Sequence, residues 1–278
     1  MDLPAFHRLL TAQGQAALAT AVELRPTEAT LLAAHQQLRK RVPTEVAKAA
    51  LETALLRQKA AGKFRRADRM YFTREALEQS SGEIISAYRP RRFAGFGRAG
   101  DFCCGIGGDL IGLSAVTNVV AVDADPLRLA MAEENRRAYG RRDKVSFVAG
   151  DLLTVPLPEL DAAFLDPDRR PGGRRHLRIR DYAPPLDAVR ARLPAGFPLG
   201  VKVAPGAPWD ELRGYDAEAE FVSVEGELKE CVLWFGELKT AGRRATILPL
   251  GASLSADQPA DPEEPGEPLA YLYDPDPA

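Results

Sequence analysis

Four aspartates carry the chemistry that this sequence offers. Asp101, Asp123, Asp151 and Asp166 each close, or closely follow, a short apolar run. The contexts are Asp101-Phe-Cys-Cys-Gly, Val119-Val-Ala-Val-Asp, Phe147-Val-Ala-Gly-Asp and Ala163-Phe-Leu-Asp. A carboxylate in such a place accepts hydrogen bonds from hydroxyls and amines, or pairs with a cation. Singly, each would be read as a helix cap or a solvated turn residue. Four in succession after strand-like runs argue for one shared site.

The first aspartate opens the most specific stretch, Asp101-Phe-Cys-Cys-Gly-Ile-Gly-Gly-Asp109. Small residues let a backbone approach a ligand closely, and glycine tolerates the dihedrals of a tight turn. A helix is predicted from about Leu110. Loops of this kind often cradle phosphate, but a carboxylate beside phosphate is repulsive. S-adenosylmethionine suits the acid better, since it offers hydroxyls, an amine and a sulfonium and carries no phosphate. A nicotinamide-dependent oxidoreductase would want Gly-x-Gly-x-x-Gly leading into the helix. Asp109 stands where its third glycine would be.

The elements that must position these acids follow from periodicity. Apolar runs of strand length lie at Val119 to Val122, Val145 to Val148, Ala162 to Leu165 and Leu199 to Val203, with helix-length segments between them, notably Leu127 to Tyr139. Alternating strands and helices predict a doubly wound, Rossmann-like α/β fold whose ligand crevice lies at the carboxyl ends of the strands. Glu220-Phe-Val-Ser-Val-Glu and Lys229-Glu-Cys-Val-Leu-Trp-Phe flank Gly226 and read as an antiparallel hairpin, with Arg244 to Leu248 as a further strand. The expectation is a mostly parallel, seven-stranded sheet. Before it, residues 1–66 read as a small helical domain, with apolar spacing such as Leu51, Ala54, Leu55 and helix starts at Thr27 and Thr44. Residues 67–250 are then the α/β domain, and 251–278 a proline-rich acidic linker or tail leading toward a further domain.

Composition narrows the class. The 278 residues carry a net charge of −2 and 45% hydrophobic residues, so a basic surface has to be local. The three cysteines have no zinc-ligand spacing, two of them are adjacent, and no metal is expected. No apolar segment has the length of a membrane span, and the start lacks the form of a secretion signal. A cytoplasmic, monomeric protein without membrane partners is expected.

Taken in order, Asp-x-x-Cys-Gly-x-Gly-Gly, Val-Asp-x-Asp-Pro, Gly-Asp and an acid-Pro turn resemble class I S-adenosylmethionine-dependent methyltransferases. Phe102-Cys103-Cys104-Gly105, Phe72-Thr73 and Phe235-Gly236-Glu237-Leu238 resemble trimethylguanosine synthase-like enzymes. The Asp-Pro-x-Arg-Arg turn, Arg243-Arg-Ala-Thr and Tyr271-Leu-Tyr-Asp-Pro are similar to bacterial methyltransferases with a THUMP-like domain. The resemblance covers residues 63 to 278 and implies S-adenosylmethionine as cofactor. Asp101, Cys103, Cys104, Gly105 and Gly107 would hold its methionine end. Asp123 and Ala124 would hold the ribose, Asp151 and Leu152 the adenine, and Thr73 would close over it. Asp166 and Pro167 would be catalytic, holding a target amine. Relatives that methylate amines carry a second proline and an aromatic next; here Asp168 and Arg169 stand instead, so stacking on a base is weakened.

The turn runs into an arginine cluster, Asp168-Arg-Arg-Pro-Gly-Gly-Arg-Arg-His-Leu-Arg-Ile-Arg. Asp168, Arg169, Arg170, Arg174 and Arg175 are the substrate-binding candidates. Together with the basic stretch 63 to 69, the start of a basic and partly aromatic segment that runs to residue 98, they suggest RNA or another anionic substrate. His176 reads as a loop residue. The alternatives are a methyltransferase-fold protein that binds RNA or a partner without turnover and, more remotely, the oxidoreductase.

Overall fold

A computed structural model describes residues 1–141, 145–174, 176–257 and 276–278. The chain divides into two units, Met1–Arg91 with Cys104–Asp151, and Arg92–Cys103 with Leu152–Ala278. Of the substrate-binding candidates, Arg175 lies outside the described residues, as does most of the expected tail with Tyr271-Leu-Tyr-Asp-Pro.

The first unit opens with four helices: α1 (Leu3–Leu10), α2 (Ala12–Glu23), α3 (Leu31–Leu38) and α4 (Thr44–Ala60). Asp2 and Thr11 cap α1 and α2 by accepting from Ala5 N and Gly14 N. The expected helix start at Thr27 is displaced to Leu31. The Thr27 and Thr30 side chains accept from each other's backbone N–H, which closes a turn instead of a helix. Alanines line much of α4's buried surface, including Ala47, Ala49, Ala50 and Ala54, and short side chains permit close helix approach. Two short helices follow, α5 (Arg74–Gln79) and α6 (Glu83–Tyr88).

In the second unit lies β1 (Arg98–Phe102); in the first follow α7 (Gly108–Leu113), β2 (Asn118–Asp123), α8 (Pro126–Ala138) and β3 (Val145–Ala149). Strands β2 and β3 pair in parallel, Val119 opposite Val145 through Asp123 opposite Ala149. One hydrophobic core unites the N-terminal helices with this part: Phe6, Leu9, Leu51, Met70 and Phe72 cluster with Ile106, Ile111 and Met131. A fully buried Phe or Leu contributes about 1.5–3 kcal/mol relative to exposure, so the helical segment is tied to the glycine turn through packing. Gly112 allows α7 to lie against α6, because a Cβ there would collide with the Ser86 carbonyl.

The second unit continues with β4 (Ala162–Leu165), α9 (Leu186–Arg192), β5 (Leu199–Val203), α10 (Trp209–Arg213), β6 (Glu218–Val224), β7 (Glu227–Phe235), β8 (Arg243–Leu248) and β9 (Ala252–Ser255). The sheet has nine strands in the order β3-β2-β1-β4-β5-β7-β6-β8-β9, where seven were expected. At the C-terminal side β8, the further strand expected at Arg244 to Leu248, pairs in parallel with β6, and β9, which was not expected, pairs antiparallel with β8. Parallel pairing joins β1 to β4 and β4 to β5, and the expected hairpin is β6–β7, with β7 antiparallel to β5.

A buried charge cluster holds the hairpin in place. Glu218, fully buried, accepts from Arg92 at 2.7 and 2.9 Å, from Arg244 at 2.8 Å and from Thr240 N at 2.7 Å. Glu220 accepts from Trp234 Nε1 and Thr246 Oγ1, both at 2.7 Å, and Arg92 lies 4.7 Å over the Trp234 ring. Burial alone would raise the Glu218 carboxyl, but the hydrogen bonds from Arg92, Thr240 and Arg244 outweigh it and hold it down to about 2, against an ordinary 4.5. The group's contribution is therefore present in full above pH 4.5 and is lost as pH falls toward 2; it amounts to at most roughly 3 kcal/mol. Chemical denaturation is expected to find Glu218→Gln less stable than the parent at pH 7, with the gap narrowing at pH 3. A gap independent of pH would show that the glutamate's charge does not matter.

Candidate active site

The glycine turn is fixed within the first unit by backbone and side-chain groups. Cys104 N donates to Val122 O at 3.0 Å and Gly107 N to Cys104 O at 2.9 Å. Gly105 N donates to Asp123 Oδ2 at 2.8 Å, and Asp125 N to Asp123 Oδ1 at 2.9 Å. Gly105 has φ +53°, and a Cβ there would meet nothing within 4 Å, so the turn is open on that side. Asp123 is buried at the end of β2, and burial raises its carboxyl above the usual range while the two backbone N–H groups partly oppose this. Each of its oxygens keeps a lone pair for a further donor. Asp125 then starts α8 by accepting from Leu127 N at 2.8 Å.

Asn135, Arg89 and Ser81, to which the sequence reading gave no role at the turn, add to this arrangement. Asn135, on α8 and fully buried, donates to Tyr71 O and Ile106 O, both at 2.9 Å, and accepts from Tyr71 N at 2.7 Å. It ties the turn to the segment that leads from the N-terminal helices. Arg89 and Asp109 form a buried ion pair, and Ser81 Oγ donates to Asp109 Oδ2 at 3.0 Å. Asp109 thus anchors the start of α7, which explains an acid where a dinucleotide fold would have glycine.

The remaining candidates of the first unit are less engaged. Ala124 and Asp151 are exposed. Thr73 caps α5, accepting from Ala76 N at 3.1 Å, so its geometry is explained by the helix it starts. The basic stretch also changes meaning. Phe64, Tyr71, Phe72 and Phe93 are core residues, and Arg89 and Arg92 are spent on buried carboxylates. Arg65, Arg66, Arg69 and Arg91 remain on the surface.

The second unit carries Asp101, Cys103, Leu152 and the Asp166 turn. Asp101 is buried within β1, one residue before the strand's end, opposite Phe164. Cys103 follows with φ +58°, a left-handed backbone for a non-glycine residue. Leu152 is buried, and its carbonyl accepts from Arg192. Asp166 N donates to Phe102 O at 3.1 Å, which sets the aspartate beside the end of β1. Its Oδ2 accepts from Lys202 Nζ on β5 at 2.7 Å. Lys202 was missed, although a lysine inside the apolar run Leu199 to Val203 is a signal, since lysine is almost never fully buried unless paired.

The arginine loop is closed at its base. Asp168 and Ala183 exchange backbone hydrogen bonds at 2.8 and 3.0 Å, and Asp168 Oδ1 accepts from Arg170 N at 2.8 Å. Pro167 is buried. Arg169 turns partly inward: its Nη1 is buried and has no hydrogen-bond partner among the described residues. Arg170, Arg174, Arg178 and Arg180 are exposed. His176 lies 3.8 Å from Asp181. Among the described residues there is no cluster of His, Cys, Asp or Glu that could hold a metal, and no helix is long and apolar enough to cross a membrane.

Residues 98–197 match the family described as RNA cap guanine-N2 methyltransferase, and residues 2–60 match a domain of unknown function. The chain is 36% identical over 222 residues to an uncharacterized S-adenosylmethionine-dependent methyltransferase of Mycobacterium tuberculosis, found alike in strains CDC 1551 / Oshkosh and ATCC 25618 / H37Rv. That match covers 76% of this chain and 61% of the relative, so the chain spans about three-fifths of the relative's length. In fold it is similar to the crystal structure of a "putative methyltransferase" from Porphyromonas gingivalis W83, with TM-score 0.60, 23% identity, and coverage of 77% of this chain and 60% of that one.

Replacing Asn135 by alanine would strand three buried backbone groups, each worth about 1–3 kcal/mol when left unsatisfied. Asn135→Ala is therefore expected to unfold at clearly lower denaturant concentration than the parent. A shift no larger than that of an alanine substitution at the exposed Arg137 of α8 would deny Asn135 this role.

Proposed function

We propose that this protein is an S-adenosylmethionine-dependent methyltransferase that acts on an amine of an RNA base. One observation carries the cofactor assignment: a buried carboxylate, Asp123, hydrogen-bonded to an open glycine turn at Gly105. These residues fit the cofactor. The open side of Gly105 leaves room for a chain to lie against the backbone, and Asp123 has lone pairs for ribose hydroxyls. The match to the RNA cap guanine-N2 methyltransferase family supports the reaction and the choice of RNA. The relative's name supports the cofactor.

Bound, S-adenosylmethionine supplies a methyl group on a sulfonium; the amine nitrogen forms the new bond, and the pair of the broken carbon–sulfur bond stays on sulfur. The protein's task is position, orientation and exclusion of water. Asp101, Cys103, Cys104, Gly105 and Gly107 hold the methionine end, Asp123 and Ala124 the ribose, and Asp151 and Leu152 the adenine. Thr73 contributes from the start of α5. Asp166 Oδ1 accepts a hydrogen bond from the target amine and stabilises the positive charge that develops on it, and Pro167 fixes the turn. The amine's proton then leaves to Asp166 or to water.

RNA is held through its phosphates by the exposed arginines of the 168–183 loop. Asp168 closes the base of this loop, and the buried Nη1 of Arg169 waits for an acceptor on the substrate. Arg170 and Arg174 make the phosphate contacts, a role that the sequence also suggests for Arg175.

Tritiated methyl transfer to RNA fractions tests the reaction. Asp166→Ala is expected to abolish turnover while leaving S-adenosylmethionine affinity within a few-fold, and Asp123→Asn to weaken that affinity at least tenfold. Equal loss of both properties in Asp166→Ala would place Asp166 in the cofactor pocket instead. Affinity for single-stranded RNA should fall with salt, and Arg170→Ala and Arg174→Ala should each reduce the logarithmic slope by about 0.7. Binding that ignores salt would remove RNA phosphates as the ligand.

A further inference from the structure

We propose that Lys202 determines specificity at the transfer site. By pairing with Asp166 it lets the site accept a neutral amine and turn away a cationic one. The proposal rests on the assignment of Asp166 made above. Strands β4 and β5 run parallel with Leu165 opposite Val201, so Asp166 and Lys202, the next residue on each, arrive at the same level. Nζ of Lys202 donates to Asp166 Oδ2 at 2.7 Å. The lysine side chain is 5% exposed and that of Asp166 21%, so the ammonium lies inside and the carboxylate reaches outward. Among the described residues, Asp166 Oδ1 accepts no hydrogen bond, and only Oδ2 is engaged.

Burying a lysine is costly, and the strand gives no packing reason for one. Val201 and Val203, its neighbours on β5, are fully buried apolar residues of the kind a central strand favours. The charge of Lys202 has a chemical consequence. An unpaired carboxylate in a partly enclosed site attracts any cation strongly. Paired with an ammonium, the same carboxylate still offers an acceptor oxygen, but the ammonium offsets its pull on a cation. Methyl transfer to nitrogen needs a free lone pair on the acceptor. Aliphatic amines such as lysine side chains and polyamines are protonated near pH 7, whereas the exocyclic amines of nucleobases are neutral. Lys202 therefore selects the conjugated, uncharged class of acceptor by removing the attraction for the charged class.

Two cofactor analogues test this without knowledge of the acceptor. S-adenosylhomocysteine has a neutral thioether where sinefungin carries a protonated amine in place of the transferred methyl. Isothermal titration of the full chain gives the ratio of their dissociation constants. Lys202→Met is expected to shift that ratio at least tenfold toward sinefungin, Lys202→Arg to stay within about threefold of the parent, and Asp166→Asn to shift it away from sinefungin. If Lys202→Met leaves the ratio unchanged while Asp166→Asn moves it, Lys202 is structural only and the proposal fails, with the role of Asp166 intact. If neither variant moves it, Asp166 does not face the methyl group and the assignment beneath the proposal fails as well. Should the methionine variant not fold, Lys202→Gln carries the same test, because it also removes the charge.

Discussion

The side-chain amide of Asn135 is the constraint on which the first unit's half of the site depends. The turn from Cys103 to Gly107 contains several residues with positive φ and no regular ladder, so its shape has to be imposed from outside. Asn135 supplies this by clamping Ile106 O and both backbone groups of Tyr71. It can do so because α8 begins at Asp125, just after the strand end that carries Asp123. One continuous segment therefore delivers the buried carboxylate of Asp123, the helix cap and the clamp. The N-terminal helices are bound into the same arrangement through Tyr71, whose ring packs edge-on against Phe6 at 5.2 Å.

The second unit is governed by compensation of buried charge. Glu218 and Glu220 lie inside the sheet only because Arg92, Arg244 and several hydrogen bonds meet them. Removing one partner of such a group costs far more than the intact cluster gains, so these residues are constrained together. Lys202 and Asp166 obey the same rule with one difference. Glu218 is fully enclosed, whereas the Asp166 side chain keeps 21% of its surface open. An enclosed cluster can only hold structure, while a compensated pair with an open oxygen can also meet a ligand.

The parts of this architecture that were legible in the sequence are local. Asp123 could be found because it ends an unbroken β run and is followed by Asp-Pro, which caps and opens a helix. The strands of the α/β core could be found because they are short and apolar. The parts that were not legible depend on partners far along the chain. Arg92 and Glu218 are 126 residues apart, and Asn135 and Tyr71 are 64 apart. Nothing around Asn135, within Glu133-Glu-Asn-Arg-Arg, distinguishes a buried clamp from a solvated helix face. The last strands were undercounted because β9, Ala252-Ser-Leu-Ser, is mostly exposed and lacks the apolar run that marked the others. Thr73 was singled out by its motif alone, and its use as a helix cap was not foreseen.

The same distinction bears on how an acidic chain could hold RNA. By composition, residues 63 to 98 look like a basic, aromatic nucleic-acid surface. In the fold Phe64, Tyr71, Phe72 and Phe93 are core, and two of the arginines, Arg89 and Arg92, neutralise buried acids. Their positive charge is consumed before it can act on a ligand. The loop after Asp166 is different, because the Asp168–Ala183 pairing closes it at the base and most of its arginines point to solvent. A net charge of −2 is therefore no obstacle to phosphate binding, since positive charge is concentrated on one short loop attached to the Asp166 turn. In the proposed reading, that attachment would couple recognition to chemistry: a phosphate drawn to Arg170 would be held only a few residues from the carboxylate that orients its base.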